Sequence, residues 1–278
     1  SRISWPGGAL ASILLLSAND VRAETPLFAL ASLNRYQAAG IHLAISTLVA
    51  ATVLAALLLV WYPQPYFRLA GGPGLMLTLI GVDVVMGPVL TLVVFDPRKK
   101  SIRIDLTVIV LLQLAAFAYG LSVIAQARPA YVVFSGDRFT VVAANQIDPE
   151  SLASAKPPYD TLPIDGPRLV GARVPDDPAQ RQKLMLLALG GVDLPVLPRY
   201  YVPYADVAGD LKGKARPLAD LRKGDDKARE KIDAEVARIG RPRSALGWIP
   251  VLGRLEAGVA LVDTSSGDVV AVLPINPG

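Results

Sequence analysis

Long apolar runs in the first half of the chain predict three membrane-spanning helices. They cover residues 38–61, 69–95 and 106–126, and each is rich in Ala, Leu, Ile and Val. At about 1.5 Å of rise per residue, a helix of such a length covers a hydrocarbon core about 30 Å thick. The first run ends in Trp61 and Tyr62, residue types that are enriched at the membrane–water interface.

The second predicted span contains the pair Gly87-Pro88 in its interior. Proline has no backbone N–H and therefore removes one hydrogen bond from a helix. We expect a kink at Pro88, with the freed carbonyl satisfied by a neighbouring helix. The stretch between the first two spans, residues 62–68, contains Pro63 and Pro65 and is predicted to be a turn.

After Arg128 the pattern changes to short runs of β-branched and aromatic residues between turn residues, which predicts an α+β domain. Residues 131–134 and 138–144 form a predicted hairpin around Gly136-Asp137. Further strands are predicted at residues 168–174, 248–252, 259–263 and 269–275. Helices are predicted at residues 176–189 and, in one or two pieces broken near Gly224, within residues 216–239.

The basic excess of the chain belongs to its membrane half. Through Arg128 there are nine Lys/Arg against five Asp/Glu, whereas the remainder has 19 of each. The net charge of +4 therefore indicates topology and does not indicate a nucleic-acid partner. The bend between the second and third spans carries four basic residues, and the earlier bend carries only Arg68. The four topology determinants are Arg98, Lys99, Lys100 and Arg103.

Because basic bends stay in the cytoplasm, these residues predict a cytoplasmic N-terminus and a periplasmic C-terminal domain. We divide the chain into an N-terminal extension (1–34), a three-helix transmembrane domain (35–128) and a periplasmic α+β domain (129–278). The extension contains Val21-Arg22-Ala23, which is similar to a signal-peptidase site. Cleavage there would place the mature N-terminus outside, against the basic bend, so we favour a disordered or over-extended N-terminus.

Asp83 is the one acid inside a predicted span, and Gln113 falls at a similar depth on the antiparallel third span. One hypothesis is a carboxylate in a proton or ion path. The other is a protonated or Gln-bonded Asp83 that fixes how the helices pack. We favour packing, because a path needs a chain of polar groups. Polar groups of the spans that could contribute to such a path include His42, Ser46, Thr47 and Thr78.

No residue pattern predicts an enzyme. The chain has no cysteine, which excludes disulfides, thiolate metal sites and a cysteine nucleophile. The only histidine, His42, lies in the first span, so the outer domain has no Ser-His-Asp triad. We expect His42 to be a surface or interface residue. The paired acids Asp176-Asp177 and Asp225-Asp226 have the positions of helix-dipole or solvated groups. We expect no cofactor, metal or small-molecule substrate, and a carboxylate-only enzyme is a weaker hypothesis.

The most aromatic stretch outside the spans is Arg199-Tyr200-Tyr201-Val202-Pro203-Tyr204. Tyrosine and arginine are enriched at interface hot spots, which makes Arg199, Tyr200, Tyr201 and Tyr204 a candidate partner surface. The alternative is an extended segment packed on the sheet. The sequence pattern does not decide between the two.

Two strings of the sequence resemble a known family. GVDVVMGPVLTLVVFDPRKKSIRIDL (81–106) and QARPAYVVFSGDRFTVV (126–142) are similar to the TfpX/TfpZ family of type IV pilin accessory proteins, and RYQAAGIHLAIS and RYYVPY extend the likeness. The resemblance implies a bacterial inner-membrane protein that is associated with a type IV pilin and affects pilus assembly. It supplies no catalytic or binding residues.

We therefore expect a non-enzymatic accessory protein of type IV pilus biogenesis. Its membrane helices, surrounded by lipid, anchor a chaperone-like periplasmic domain that contacts pilin or inner-membrane assembly proteins. Small residues of the spans would permit close approach of a partner helix. These are Gly81, Gly87, Ala115, Ala116 and Gly120. The alternative is a small proton- or ion-coupled membrane protein centred on Asp83.

Overall fold

Three long apolar helices come first among the described residues, which are 33–221 and 226–277 of the computed structural model. They cover Arg35–Val60, Gly72–Val94 and Ile102–Ala127, and each is long and apolar enough to cross a membrane. The three predicted helices are confirmed. The segments are α1 (Arg35–Val60), α2 (Tyr66–Leu69), α3 (Gly72–Ile80), a π-helix (Gly81–Met86), α4 (Gly87–Val94) and α5 (Ile102–Ala127).

A domain of helices around one eight-stranded sheet follows. Its strands are β1 (Pro129–Ser135), β2 (Arg138–Ala143), β3 (Arg168–Ala172), β4 (Tyr201–Pro203), β5 (Arg216–Pro217), β6 (Leu246–Leu252), β7 (Ala257–Asp263) and β8 (Val269–Leu273). Its α-helices are α6 (Pro149–Ala153), α7 (Pro178–Leu189), α8 (Tyr204–Leu211) and α9 (Asp226–Ile239). Short 3₁₀ turns lie at Ala144–Gln146, Leu194–Val196, Pro198–Tyr200, Leu218–Asp220 and Arg243–Ala245.

The sheet mixes parallel and antiparallel pairs in the order β4-β3-β1-β2-β6-β7-β8, and β5 also pairs with β6. The predicted hairpin is confirmed as β1 and β2, and Gly136 in its turn has a φ of 64°, which glycine adopts without strain. The other predicted strands correspond to β3, β6, β7 and β8. The parallel pairs β1–β3 and β2–β6 join segments that are distant in sequence, and no local pattern predicts them.

Alternate side chains of β1 enter two different hydrophobic cores. Tyr131 and Val133 pack in a cluster that includes Leu184 of α7. Val132 and Phe134 pack in a second cluster with residues of α8 and β6. Because both faces of the sheet are covered, β1 is apolar along its whole length and does not alternate with polar residues.

The described residues form two compact units. The helical unit comprises the described residues through Val49 together with Gly81–Ala116. The mixed unit comprises Ala50–Ile80 and the described residues from Phe117 onward. The predicted domain boundaries after residues 34 and 128 stay predictions. The predicted extension up to residue 32 and the predicted helix break near Gly224 lie outside the described residues.

The connection between α1 and α3 is built into the core of the sheet. Leu69 of α2 is fully buried in one cluster with Ile249 and Val251 of β6. The Leu69 carbonyl accepts a hydrogen bond from the backbone N–H of Leu255 at 3.4 Å. A Cβ at Gly253 would lie 2.3 Å from the Leu69 carbonyl oxygen, so glycine is required for this approach. Leu69, which was predicted to begin the second span, is therefore instead a core residue of the sheet domain, and the long helix begins at Gly72.

Tyr62 holds the end of α1 against α5. Its side chain is fully buried, and its hydroxyl donates to the Ile124 carbonyl at 2.9 Å. Burial raises the pKa of Tyr62 to about 12, so the hydroxyl remains a donor at neutral pH. Leu57 of α1 and Met76 of α3 pack in the same cluster. This cluster joins the parts of the three long helices that belong to the mixed unit.

Replacing Leu69 by alanine should destabilise the mixed unit. Loss of a fully buried leucine side chain costs about 3 kcal/mol, which corresponds to a fall in melting temperature on the order of 10 °C. Thermal unfolding of the full chain in detergent, followed by circular dichroism, measures the change. Leu77→Ala is the matched control because the Leu77 side chain is mainly exposed. Equal melting temperatures for the two variants would contradict a structural role for Leu69.

Candidate functional site

Asp83 is a buried acid without a hydrogen-bond partner. It lies in the π-helix Gly81–Met86, and 9% of its surface is exposed. Among the described residues, neither of its carboxylate oxygens has a partner. A buried polar group without a partner is costly, and such groups are rare in native structures unless they have a function. Asp83 is therefore the strongest candidate site of the helical unit.

The backbone carbonyl of Asp83, in contrast, has a partner. In a π-helix this oxygen would accept from the N–H five residues later, and Pro88 has no N–H. The side-chain amide of Gln113 on α5 donates to this oxygen at 3.0 Å. The structure thus brings Asp83 and Gln113 together, and a neighbouring helix supplies the donor, as Pro88 leads us to expect. The bond goes to the backbone of Asp83 and not to its carboxylate, which corrects the expectation of a Gln-bonded side chain.

Gly87 provides the space for this contact. A Cβ at Gly87 would lie 1.9 Å from Nε2 of Gln113, so a larger residue would displace the amide. The Gly-Pro pair therefore has two roles, because Pro88 leaves a carbonyl without its donor and Gly87 admits the substitute donor. The pair was visible in the sequence, but the π-helix that precedes it was not predicted.

His42 makes a second polar contact in the helical unit. Its Nδ1 lies 2.6 Å from Oγ1 of Thr91, which is buried. The bond joins α1 to α4, whereas the Gln113 bond joins α5 to the π-helix. His42 itself is half-buried, so the predicted surface or interface histidine has a defined partner on another helix. Both polar contacts hold helices together.

These contacts leave both carboxylate oxygens of Asp83 buried and without a hydrogen-bond partner among the described residues. In surroundings of low dielectric constant, a carboxylate attracts a cation or a hydrogen-bond donor much more strongly than it does in water. In the part of the chain that the structure describes, no three His, Asp or Glu side chains lie close enough together to hold a metal ion. A buried carboxyl group without a partner suits transfer of a proton better than the binding of a metal ion.

The basic bend between α4 and α5 is exposed. Arg98, Lys100 and Arg103 are exposed. Lys99 pairs with Asp105 at the start of α5, with 2.5 Å between Nζ and Oδ2. The bend thus presents positive charge at one end of the two helices. Its role in topology stays a prediction.

The aromatic stretch packs inside the domain. Tyr200 and Tyr201 are buried, and the Tyr201 hydroxyl donates to the Pro195 carbonyl. The Tyr204 hydroxyl donates to the Gly267 carbonyl at 2.6 Å. Burial raises the pKa of both Tyr201 and Tyr204. Because β4 pairs with β3, the alternative of an extended segment packed on the sheet describes this stretch, and Tyr200 and Tyr201 do not form an exposed partner surface.

Arg199 also makes contacts within the domain. Its backbone N–H and its Nε donate to the hydroxyl of Ser151, at 3.1 and 3.2 Å. Its Nη2 lies 3.5 Å from the Glu150 carboxylate. Ser151 is fully buried in α6. Arg199 therefore anchors α6 to the turn that precedes β4.

An exposed apolar surface lies on α7, and the sequence reasoning did not identify it. Leu184 is the buried residue of this helix, whereas Met185, Leu186 and Leu189 are exposed. The helix and the turn of the β1–β2 hairpin line a groove of about 620 Å³. Exposed apolar patches of this kind mark contact sites for other molecules. The sequence does contain a sign of this surface, because residues 184–189 have more apolar side chains than one helix face can bury.

Comparison with known proteins finds a likeness to proteins of fimbrial assembly. Residues 32–71 match the profile of the family described as "Fimbrial assembly protein FimB". The match covers α1 and α2, and therefore the connection that is buried in the sheet. No solved structure matches the chain significantly.

Three relatives from Dichelobacter nodosus match longer stretches. The chain is 35% identical over 182 residues to "Fimbrial assembly protein, serogroup I", which covers 65% of this chain and 71% of the relative. It is 33% identical over 182 residues to the serogroup E1 protein, which again covers 65% of this chain and 71% of the relative. It is 38% identical over 118 residues to the protein of serogroups C1 and C2, which covers 42% of this chain and 90% of that relative.

Gly87→Ala should weaken the contact between α5 and the π-helix. The added Cβ forces the Gln113 amide away from the Asp83 carbonyl, and leaving a buried acceptor unsatisfied costs about 1–2 kcal/mol. Thermal unfolding in detergent measures the loss. Gly81→Ala is the matched control, since nothing lies within 4 Å of a Cβ there.

The Gln113→Ala background separates this mechanism from a general effect of the substitution. There the amide is already absent, so Gly87→Ala should cost much less than in the wild-type chain. An equal cost of Gly87→Ala in both backgrounds would contradict the role assigned to Gly87.

Proposed function

Because the chain belongs to the fimbrial assembly protein family, we propose that it is an inner-membrane accessory protein of type IV pilus biogenesis. The observation that carries the proposal is the likeness to a relative named a fimbrial assembly protein. The two chains are 35% identical over a stretch that covers 71% of that relative. The finer assignment to the TfpX/TfpZ pilin accessory proteins is part of the proposal. It rests on the similarity of residues 81–106 and 126–142.

In this proposal, the three long helices cross the inner membrane. Their length and apolar composition support it. The basic bend between α4 and α5 lies on the cytoplasmic side, because bends rich in Lys and Arg are retained there. The N-terminus is then cytoplasmic, and the sheet domain lies in the periplasm.

The protein acts through contacts and not through catalysis. In the sheet domain, Asp177 was a candidate for acid–base chemistry and Arg199 for partner contact, and both have partners within the domain, which supports this part of the proposal. Asp177 accepts a hydrogen bond from the backbone N–H of Gln180 at 3.0 Å and so caps α7. Arg199 holds Ser151 and Glu150 of α6.

Within the membrane, the helical unit offers a contact site for a partner helix. Gly81 permits close approach of that helix, since nothing lies within 4 Å of a Cβ added there. Ala115 and Ala116 are exposed small residues on α5. Gly87 and Gly120 do not belong to this site, because Gln113 and Leu79 occupy the space beside them. The partner in this proposal is a pilin or an inner-membrane assembly protein.

In the periplasm, the apolar surface of α7 is the proposed contact site. Met185, Leu186 and Leu189 are exposed, and Met185 lines the groove. Tyr200 and Tyr201 of the aromatic stretch are instead packed in the core. Apolar side chains at the centre of an interface contribute most of its binding energy.

Photo-crosslinking in living cells tests this function. A photoreactive residue at Met185 or Leu189 of the full chain should crosslink to pilin or a pilus assembly protein, identified by mass spectrometry. Glu230 on α9 is the control position, since it is exposed on another helix. Deletion of the gene should reduce surface pili several-fold. Unchanged piliation, together with equal crosslinks at all positions, would contradict the proposal.

A small proton- or ion-coupled membrane protein is the second candidate function, and the free carboxylate of Asp83 favours it. Asp83→Asn keeps the shape of the side chain and removes its titration. Ion coupling predicts that piliation falls to the level of the deletion strain while the variant remains inserted and folded. Asp96→Asn, at an exposed position in the bend before α5, is the control. Wild-type piliation with Asp83→Asn would reject this function and leave the accessory function in place.

A further inference from the structure

A loop of the mixed unit is fixed at the point where two of the long helices end. Trp61 follows the last residue of α1, and its Nε1 donates to the Ile164 carbonyl at 3.0 Å. Arg128 follows the last residue of α5, and its Nη2 donates to the Pro163 carbonyl at 3.2 Å. The Arg128 guanidinium also lies 5.7 Å from the centre of the Trp61 ring. These contacts place Ile164 level with the ends of both helices.

A second loop lies where the remaining long helix begins. The backbone N–H of Leu255, between β6 and β7, donates to the Leu69 carbonyl. A Cβ at Gly71 would lie 2.6 Å from Cδ1 of Leu255, so this side chain lies against the residue that precedes Gly72, the first residue of α3. Leu255 is therefore level with the start of the second long helix.

Both loops present a large apolar side chain to the surroundings. Ile164 and Leu255 are each 74% exposed. Single exposed apolar residues are common on protein surfaces, but these two lie at the ends of apolar helices that are themselves exposed to lipid in the proposed function. Trp61 and the exposed Arg254 lie at the same level. Tryptophan is enriched at membrane interfaces, and a long arginine side chain can place its charge among the lipid headgroups.

From this arrangement we propose that Ile164 and Leu255 insert into the interfacial region of the outer leaflet and seat the sheet domain on the membrane. The occupant of this surface is the boundary between lipid headgroups and acyl chains. The inference rests on the proposed function in one respect, which is that the three long helices cross the membrane. Its consequence is that the domain presents α7 at a fixed height above the bilayer.

Labelling of single introduced cysteines tests whether Ile164 and Leu255 insert into the membrane. The natural chain has no cysteine, so the fluorophore reacts only at the introduced position. Ile164→Cys and Leu255→Cys are each labelled with a polarity-sensitive fluorophore in the full chain, which is reconstituted into vesicles of phosphatidylethanolamine and phosphatidylglycerol. Both positions are exposed, so the substitutions remove no core packing. We expect blue-shifted emission and quenching by lipid-borne spin labels several times stronger than at Leu189→Cys. Leu189 is the matched control, since it is 78% exposed on α7.

A fourth probe separates this inference from the proposed function. Leu111→Cys lies on the exposed apolar surface of α5 and reports whether that helix is in lipid. Strong quenching at Leu111 with emission at Ile164 and Leu255 like that at Leu189 would overturn the membrane seat and leave the spanning helices in place. Absence of lipid quenching at Leu111 would overturn the membrane location and the seat with it.

Discussion

The burial of Leu69 beneath β6 is the contact on which the mixed unit depends. A turn between two long helices needs no tertiary contacts, yet this one places a leucine in the sheet core and closes over Gly253. The ends of α1 and α3 are therefore fixed to the sheet by a buried side chain worth about 2–3 kcal/mol, in addition to covalent connection. A domain held in this way cannot move freely on its helices, which suits a protein that presents a contact surface at a defined place.

A different constraint shapes the helical unit. In the membrane location that we propose for it, backbone polar groups must find partners within the protein, because hydrocarbon offers no water. Pro88 removes one donor, and the Gln113 amide replaces it through the space that Gly87 leaves. The Asp83 carbonyl is then satisfied, and the Asp83 carboxylate is the buried side-chain group that remains without a partner among the described residues. The backbone of Asp83 therefore has a packing role, and its side chain is the group on which the ion-coupled hypothesis depends.

Local sequence patterns predicted the three helices, the hairpin and most strands, because length and periodicity are local properties. They also predicted that Asp83 and Gln113 meet, since antiparallel helices joined by a short bend place equal depths side by side. The burial of Leu69 could not be predicted, because it depends on Gly253 in the distant β6–β7 loop. The aromatic stretch was ambiguous for a physical reason, since tyrosines suit both a core and an interface, and only the pairing of β4 with β3 decides.

The central claim is that the connection between the first two helices and the sheet form one cooperative structure, from which the protein acts in pilus biogenesis. Hydrogen exchange of the full chain in detergent, resolved by mass spectrometry, tests this claim most directly. The account predicts that the amides of residues 66–71 exchange as slowly as those of β6 and β7, and that Leu69→Ala accelerates all of them together. Rapid exchange of residues 66–71 beside slow exchange in β6 and β7 would contradict it.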